Sequence, residues 1–424
     1  MTAEPDAARS RLAPSVVLGG LGAAALAAVG LVAGRADVAV LGVPLALWAV
    51  LVLTRGRDVP APVIALRASD SPAEGWLVDE IDVTASAEQV ELVVVQSERR
   101  VRTLVVAPGR AITTRTRAIH SGPITSVRAQ ARSIDSDAAL LGRPASPRRL
   151  ARTVAPAMRA LPALPVPNRL TGLHGGHEGS RPGQGGDFRD IHPFAPGDEL
   201  RRVDWKATAR AARQPGDLLV RRTNAMSDAA VVLAMDTADD LGAVVASWGS
   251  GDATRSGTTS LDLAREAARA LAASAIARGD RVSFHSLVHG GRTVRGGSGA
   301  RHLARVEAAI AATGAGGDDA RHRRAPQVPH GALICVLSTF FDGAAADLAI
   351  TWRASGHRVL AIDTLPRLET DRLSPDRRLA LRILLTERED MIRALTTAGV
   401  EIVEWRTEPA IAVDALARAR GNRR

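Results

Sequence analysis

The chain has 424 residues, of which 46% are hydrophobic, so it is long enough for two or three domains with apolar cores. Its formal net charge is +10, and its one cysteine, Cys335, excludes a disulfide framework or a paired-cysteine zinc site within the chain. Its one lysine, Lys206, follows Trp205, which excludes the Gly-Lys-Ser/Thr sequence of a P-loop ATPase. Val203 stands three residues before that lysine and excludes a Ser-x-x-Lys nucleophile as well.

Two apolar stretches predict a membrane hairpin in residues 1–57. Residues 13–33 carry no charge and are long enough to cross a bilayer core of about 30 Å, and residues 38–54 are at the short end of that range. Arginines flank both outer ends of the hairpin, so the positive-inside bias predicts a two-pass anchor with both ends and most of the chain in the cytoplasm. The Arg- and Ala-rich composition with one lysine is typical of GC-rich bacterial coding, so we expect a bacterial inner membrane. A cleaved signal peptide is the alternative, and the second apolar stretch argues against it.

Residues 58–138 are predicted to form a small β-sandwich, because short apolar or alternating runs are separated by turns. Residues 139–182 are predicted to be a basic linker, since residues 139–177 hold six arginines, six prolines and no acid. Near a cytoplasmic leaflet this segment would attract anionic lipid. Nucleic acid is the alternative partner, but the linker lacks aromatic residues on which bases could stack, and we expect no nucleic-acid binding.

Residues 183–226 combine aromatic side chains with closely alternating acids and bases. Phe188, Phe194 and Trp205 fall in this one run, in a chain with only 5 Phe and 6 Trp. The pattern predicts a buried or half-buried ion-pair network packed on the aromatics, opened by a turn at Pro196 and Gly197. Within it we expect Asp198 to cap a short helix and the arginines at 201 and 202 to reach carboxylates on neighbouring segments. Such a network serves either as a docking surface or as a structural clamp between domains.

From residue 227 to residue 424, apolar strands alternate with helices. This order predicts a parallel sheet covered by helices on both faces. The strands are expected near residues 229–235, 281–288, 332–337, 358–362 and 400–405, and the helices near 260–277, 300–312, 343–355 and 385–397. Ligands of such sheets bind at the carboxyl ends of the strands, where Asp236, Ser338, Thr339, Asp342 and Asp363 stand.

The segment at 197–210 carries a specific signature of Gly-Asp, Arg, Asp-Trp and Arg: Gly197, Asp198, Arg201, Asp204, Trp205 and Arg210. With a helical hairpin and a β-rich segment before it and a strand ending in Asp236 after it, this order resembles a bacterial membrane family called domain of unknown function 58. The resemblance covers nearly the whole chain. It implies that the C-terminal domain is a doubly wound α/β domain similar to von Willebrand factor type A domains. Members are commonly encoded beside MoxR-type AAA+ ATPases, so the resemblance implies such an ATPase as a partner.

Von Willebrand type A domains bind a divalent cation through Asp-x-Ser-x-Ser after the first strand, with a Thr and an Asp from two other loops. Here Asp236 and Asp240 occupy that first loop, but Ala238 stands between them and cannot coordinate a cation. Thr258, or Thr259 beside it, and Asp342 would complete the set, although Thr339 stands where the family more often has Asp. With one oxygen ligand missing we expect no cofactor, and Mg²⁺ at Asp236, Asp240, Thr258 and Asp342 is the alternative.

The sequence thus predicts a membrane-anchored, cytoplasm-facing interaction protein that is not an enzyme. A metal-dependent hydrolase using Asp236, Asp240 and Asp342 is the alternative. His174 and His177, with His192, form a candidate metal site, but two histidines in a Gly-rich loop are more often solvent-exposed. We interpret the pair in that way because a third ligand and a second shell are missing. The loop at residues 314–326, which includes Asp318 and Asp319, is predicted to be mobile and not catalytic.

Overall fold

The computed structural model describes residues 11–54, 59–70, 75–96, 100–135, 138–167, 170, 177–211, 213–214, 217–250, 255–316 and 325–419, with the backbone alone at 177–187 and 224–226. The chain forms two compact units. Unit 1 comprises Met1–Ile119 and Ile124–Arg152, and unit 2 comprises His120–Pro123 and Thr153–Arg424. The fold is mixed α/β, with two apolar N-terminal helical segments and several sheets.

The N-terminal helices are α1 (Pro14–Val32), α2 (Ala36–Leu41) and α3 (Val43–Thr54). Pro14–Val32 and Ala36–Thr54 are each 19 residues long and apolar enough to cross a membrane. Gly30 is placed where α1 meets α2, since a Cβ atom on it would lie only 2.7 Å from the backbone nitrogen of Ala39. A glycine at this position therefore allows the two helices to approach closely.

The rest of unit 1 is made of antiparallel strands that pack around an apolar core. One sheet has the order β1-β8-β7-β4-β5, with β9 also on β7, and the second has the order β2-β3-β6. Alternate residues of β4 and β3 are buried together, including Leu92 and Ile81 at 0% exposure. The strands are β1 (Arg11–Leu12), β2 (Val63–Ser69), β3 (Trp76–Thr84), β4 (Gln89–Gln96), β5 (Arg100–Val106), β6 (Ile112–Arg117), β7 (Gly122–Ile134), β8 (Leu140–Pro144) and β9 (Arg148–Val154).

The predicted basic linker at 139–182 differs from the structure in two ways. Its first part forms β8 and β9, because Arg148–Val154 alternates along an extended strand and pairs with β7. Its next part packs on unit 2, where Leu164 is 3% exposed and belongs to the core. Ser274 donates to the carbonyl of Pro162 at 2.8 Å, and Arg358 donates to that of Val166 at 3.0 Å. Residues 156–166 are therefore an ordered extended segment that packs against the rest of unit 2.

Unit 2 opens with a long antiparallel hairpin. It consists of β10 (His177–Pro193) and β11 (Leu219–Ser227), with register shifts in β10. Between the two strands lie a 3₁₀ turn at Leu200–Arg202 and the short helix α4 (Trp205–Ala211). This hairpin contains all of the predicted signature from Gly197 to Arg210.

A six-stranded sheet forms the centre of unit 2, in the order β14-β13-β12-β15-β16-β17. All neighbouring pairs are parallel except β13 with β14. The free Cys335 is buried in β15, and burial raises the pKa of its thiol to about 12. The strands are β12 (Ala230–Met235), β13 (Arg281–Ser286), β14 (Thr293–Gly297), β15 (Leu333–Ser338), β16 (Arg358–Asp363) and β17 (Glu401–Glu404).

Both faces of this sheet are covered. Along β12, Val231 and Leu233 enter one core cluster with α5, whereas Val232 and Ala234 enter a second cluster with α7. The helices are α5 (Ser260–Ala277), α6 (Ala300–Ala311), α7 (Ala344–Ala354), α8 (Pro375–Thr397) and α9 (Pro409–Arg418). Helix α8 begins ten residues before the predicted start at 385, because Ser374 caps it and proline occupies its first position.

Candidate functional site

The first candidate site is the segment that joins the two strands of the hairpin. Asp204 caps α4, since its carboxylate accepts from the backbone N–H of Ala207 at 2.9 Å. The Asp204 N–H donates to the carbonyl of Leu219 at 2.8 Å, and the Leu219 N–H donates to the Thr208 hydroxyl at 3.0 Å. These bonds tie both ends of the first turn of α4 to β11, so this short helix has a fixed position.

Asp198 does not cap a helix as predicted. Its carboxylate accepts from the N–H of Ala195 at 2.9 Å, and its own N–H donates to the carbonyl of Ala195 at 3.0 Å. The turn bends back because Gly197 has a φ of 101°, a conformation that glycine adopts without strain. Asp198 therefore closes the Pro196-Gly197 turn and helps present the residues that follow.

Arg201 contacts a carboxylate two residues before it and not one on a neighbouring segment as predicted. Arg201 donates to Glu199 at 2.6 Å, and Arg202 lies 3.4 Å from the same carboxylate. The hydrogen bond from Arg201 lowers the pKa of Glu199, and the same bond raises the pKa of Arg201. Both partners are exposed, so this pair contributes little to stability.

The aromatic side chains of this segment are exposed, contrary to the predicted buried network. Trp205 is 66% exposed, Phe188 51% and Phe194 38%, and the neighbouring Leu200 is 64% exposed. The sequence pattern did not reveal this exposure. The strands on either side of the segment form a two-stranded sheet of their own, and such a small sheet leaves large side chains exposed.

Two cations stand beside the exposed tryptophan on α4. Lys206 and Arg210 are both exposed, and neither forms an ion pair with any residue that the structure describes. We call Leu200, Arg201, Trp205, Lys206 and Arg210 the hairpin surface. It combines a large apolar side chain on a fixed helix with two cations, Lys206 and Arg210, that form no ion pair within the described residues.

The second candidate site is the cluster at the carboxyl ends of the central strands. Asp236 follows β12 and accepts from the Ser338 hydroxyl at 2.7 Å and from the Ala238 N–H at 3.1 Å. Burial raises the pKa of Asp236, and the negative charge of Asp342 raises it further. Phe340, in the loop between Ser338 and Asp342, has a φ of 57°, which costs a bulky residue on the order of 1–3 kcal/mol.

The residues of the predicted cation site do not come together as a ligand set. Asp240 accepts from the Leu261 N–H at 3.4 Å, Asp342 accepts from the Ala344 N–H at 3.2 Å, and Thr258 is exposed. Both carboxylate oxygens of Asp236 already accept hydrogen bonds. Within the described parts of the chain, no three His, Cys, Asp or Glu side chains are grouped to hold a metal ion. The residues present therefore do not fit Mg²⁺, which needs several convergent oxygens.

An arginine that the sequence did not suggest completes this edge of the sheet. Arg388, from α8, lies 2.5 Å from the carboxylate of Asp363 and donates to the Thr339 carbonyl at 2.6 Å. Its guanidinium also lies 5.6 Å from the centre of the Phe341 ring. Both charged side chains are nearly buried, so Arg388 neutralises Asp363 and joins α8 to two strand ends.

A third polar cluster in unit 2 surrounds Asp262, at the start of α5. The His120 ring lies 2.7 Å from one carboxylate oxygen, and the N–H and hydroxyl of Ser121 donate to the other at 2.8 and 2.9 Å. Burial raises the pKa of Asp262, but these hydrogen bonds and one from Thr259 outweigh it, so the pKa is lowered. No local pattern could reveal this cluster, because His120 and Asp262 are far apart in sequence.

The Ser256 hydroxyl lies 3.1 Å from the other ring nitrogen of His120. Hydroxyl, imidazole and carboxylate are thus in the order of an activated serine. However, the Ser256 hydroxyl also lies 3.2 Å from the carbonyl of Gly257, and Asp262 forms a capping box with Thr259. We interpret the cluster as the anchor of the α5 N-terminus.

Two further predictions lie mostly outside the described residues. His174 and the side chain of His177 are outside them, and His192 lies 3.5 Å from Asp198. Of the loop at 314–326, residues 317–324, with Asp318 and Asp319, are likewise outside them.

Unit 2 is thus an α/β domain built on a largely parallel sheet, with a hairpin that carries an exposed aromatic and cationic surface. Residues 190–382, which contain that surface and the strand ends up to Asp363, match the model of a family described as protein of unknown function DUF58. The chain is also similar to uncharacterized proteins of Mycobacterium bovis and Mycobacterium tuberculosis. Each is 45% identical over 58 residues, which is 13% of this chain and 18% of the relative. The match therefore spans less than a fifth of those mycobacterial proteins.

Proposed function

We propose that this protein is a membrane-anchored adaptor whose hairpin surface binds a protein partner. The observation that carries this is Trp205, which is 66% exposed although Asp204 and Thr208 hold its helix in place. A large aromatic side chain on a fixed support loses little conformational entropy on binding, and tryptophan is enriched among residues that dominate interface energies.

The charge of the hairpin surface indicates the chemistry of the partner. Lys206 and Arg210 lack ion-pair partners within the part of the chain that the structure describes. An acidic surface with a pocket for an indole ring would therefore complement it. By the resemblance to the DUF58 family, the partner we propose is a MoxR-type AAA+ ATPase.

The wider architecture is part of the proposal. The family match at 190–382 supports membership of the whole chain in the DUF58 family. The order of the central sheet and its two covered faces support a von Willebrand type A-like domain. The two apolar helical segments support a two-pass anchor with both units in the cytoplasm, where the hairpin surface would meet an ATPase.

The metal-dependent hydrolase is not favoured. Asp236, Asp240 and Asp342 are each engaged by backbone or hydroxyl donors and do not converge. Calorimetric titration of the purified protein with Mg²⁺ and with Mn²⁺ discriminates the two functions, and we expect no heat of binding.

The adaptor function is tested by affinity capture of the intact protein from its native membrane, with nucleotide present and mass spectrometry as the readout. Wild-type protein should enrich an AAA+ ATPase, and Trp205→Ala should reduce the enrichment at least about tenfold. Trp76→Ala is the matched control, because Trp76 is also exposed, at 45%, but lies in unit 1. Equal capture by wild type and by a correctly folded Trp205→Ala variant would overturn the proposal.

A further inference from the structure

Unit 1 contains an open cleft of about 470 Å³ that has no role in the adaptor function. Its walls come from β4, β5 and β6. Strand β5 is the last strand of one sheet and β6 is the last strand of the other, so the cleft lies where these two edges leave the shared core uncovered. A volume of this size is within the range of small-molecule sites.

The register of β4 and β5 explains why charged side chains line the cleft. Gln96 pairs with Arg100 and Val94 with Arg102, so these arginines share the sheet face that carries Val94. That face is buried along β4, where Val94 is 3% exposed, but Arg100 and Arg102 are exposed on β5. Strand β5 therefore extends past the cover of the second sheet, and side chains facing inward there reach solvent.

The cleft has an apolar part and a cationic part. Val94, Leu104 and Ile112 supply the apolar part, and Arg100 and Arg102 supply the cationic part. Arg115 borders the cleft from β6, but it alternates with the buried Thr114 and Thr116, so its side chain lies on the opposite face of that strand. Among the described residues that line the cleft there is no carboxylate. Thr113 and Gln96 add polar groups at its wall.

Arg100 and Arg102 form no ion pair with the described residues of the chain, whereas other arginines of unit 1 have carboxylate partners. Arg152 lies 2.9 Å from Asp79, and Arg132 pairs with Glu91. Two guanidinium groups on one cleft repel one another unless an anion lies between them. Their planar donors match phosphate and carboxylate oxygens.

We propose that this cleft binds an amphipathic anion, with an apolar chain on Val94, Leu104 and Ile112 and a phosphate or carboxylate group on Arg100 and Arg102. The anion could be a soluble single-chain amphiphile or the headgroup and upper chain of a bilayer lipid. Both sources present the same chemistry to the cleft.

The probe is hexyl phosphate, titrated calorimetrically into the full chain in nanodiscs of zwitterionic lipid, with empty nanodiscs as the blank. We expect saturable binding at least about tenfold tighter than that of inorganic phosphate, because burial of even two methylene groups supplies this factor. The same affinity for both phosphates would overturn the apolar part of the proposal.

The variant Arg100→Gln/Arg102→Gln should weaken hexyl phosphate binding at least about tenfold. Arg117→Gln is the matched control, because Arg117 is an exposed arginine on β6 that does not line the cleft. Leu104→Ser should reduce the preference for hexyl phosphate over inorganic phosphate and leave inorganic phosphate binding unchanged. Failure of the double variant to weaken binding, or an equal effect of Arg117→Gln, would overturn the proposal.

Nanodiscs that contain phosphatidylglycerol separate the two sources. A bilayer lipid in the cleft would compete with hexyl phosphate in these discs. If wild-type protein binds hexyl phosphate more weakly in them than in zwitterionic discs, and Arg100→Gln/Arg102→Gln shows no such difference between the two discs, the site is assigned to a bilayer lipid. Unchanged binding assigns it to a soluble amphiphile. Absence of hexyl phosphate binding in zwitterionic discs overturns the proposal for both sources.

Discussion

The ring of His120 lies 2.7 Å from the carboxylate of Asp262. Because the pKa of Asp262 is lowered in the folded protein, its ionised form is stabilised by folding. This contribution is present above the unfolded pKa of about 4 and is lost as the pH falls through the lower folded value. We expect Asp262→Asn to reduce the acid sensitivity of α5 and to destabilise its N-terminus at neutral pH by roughly 1–3 kcal/mol.

Hydrogen–deuterium exchange of the peptide that begins α5, measured from about pH 2 to pH 7, checks this, because the loss is expected below about pH 4. The control is Asp376→Asn, since Asp376 is exposed in the first turn of α8, where Ser374 caps the helix. Identical exchange of the α5 peptide in wild type and Asp262→Asn across this pH range would contradict the anchoring role.

Gly30 and Gly20 lie in the same helix but differ in their surroundings. A Cβ atom at position 30 would meet the Ala39 backbone at 2.7 Å, whereas a Cβ atom at position 20 has nothing within 4 Å. We therefore expect Gly30→Ala to loosen the helical hairpin and lower its melting temperature in detergent, and Gly20→Ala to leave it unchanged or slightly raised. Equal melting temperatures for the two variants would show that the helices do not meet at Gly30.

Removal of Arg388 should leave a buried carboxylate without its counter-charge. Asp363 is nearly buried and would lose the guanidinium that lies 2.5 Å away, so we expect Arg388→Met to cost about 3–5 kcal/mol in the free energy of unfolding. The control is Arg393→Met on the same helix, because Arg393 pairs with Asp390 at the surface. There we expect a change within about 1 kcal/mol in urea unfolding. A similar small change for both variants would contradict the role of Arg388.

Asp236 should respond to pH in the opposite direction from Asp262. Its raised pKa means that folding disfavours its ionised form, so its contribution to stability is full below the unfolded pKa and is lost as pH rises through the folded pKa. Asp236→Asn, which keeps an oxygen for the Ser338 hydroxyl, should be neutral or stabilising at pH 7 in thermal unfolding. Strong destabilisation by Asp236→Asn would contradict this expectation. A rise in melting temperature with Mg²⁺ in the wild type but not in Asp236→Asn would indicate that Asp236 binds a cation.

Asp204 supports the hairpin surface without being its main contact. Asp204→Ala removes the cap of α4 and should cost about 0.5–2 kcal/mol locally, seen as faster amide exchange in residues 205–211. Asp204→Ser retains a capping oxygen and should restore both slow exchange and partner capture. If Asp204→Ser fails to restore capture while exchange returns to normal, the carboxylate itself contacts the partner.

The parts of the fold that follow from local rules were predictable from the sequence. Helix α5 has the predicted bounds of 260–277, because its apolar period is strong and Thr259 and Asp262 form a capping box. The five parallel strands of the central sheet lie within a few residues of their predicted positions, since buried parallel strands are continuous apolar runs. The antiparallel edge strand β14 was not predicted. The start of α8 was missed because its cap at Ser374 precedes a stretch dominated by charged residues.

The parts that depend on long-range packing were not predictable. The alternating charges around Trp205 are the pattern that a buried ion-pair network would also have. Only the three-dimensional structure shows that the Trp205 side chain is exposed. Leu164 lies in a basic, proline-rich stretch but packs into the core of unit 2. Arg388 and Asp363 meet because α8 crosses the sheet edge, which no spacing along the chain encodes.

The burial of Cys335 has a practical consequence. With its pKa raised to about 12, the one native thiol is uncharged at neutral pH and shielded from reagents in β15. A cysteine introduced in place of Lys206 or Thr113 would then be the sole reactive thiol, so a fluorophore or spin label attaches at one chosen point. The hairpin surface and the cleft of unit 1 can thus each be followed spectroscopically in an otherwise native protein.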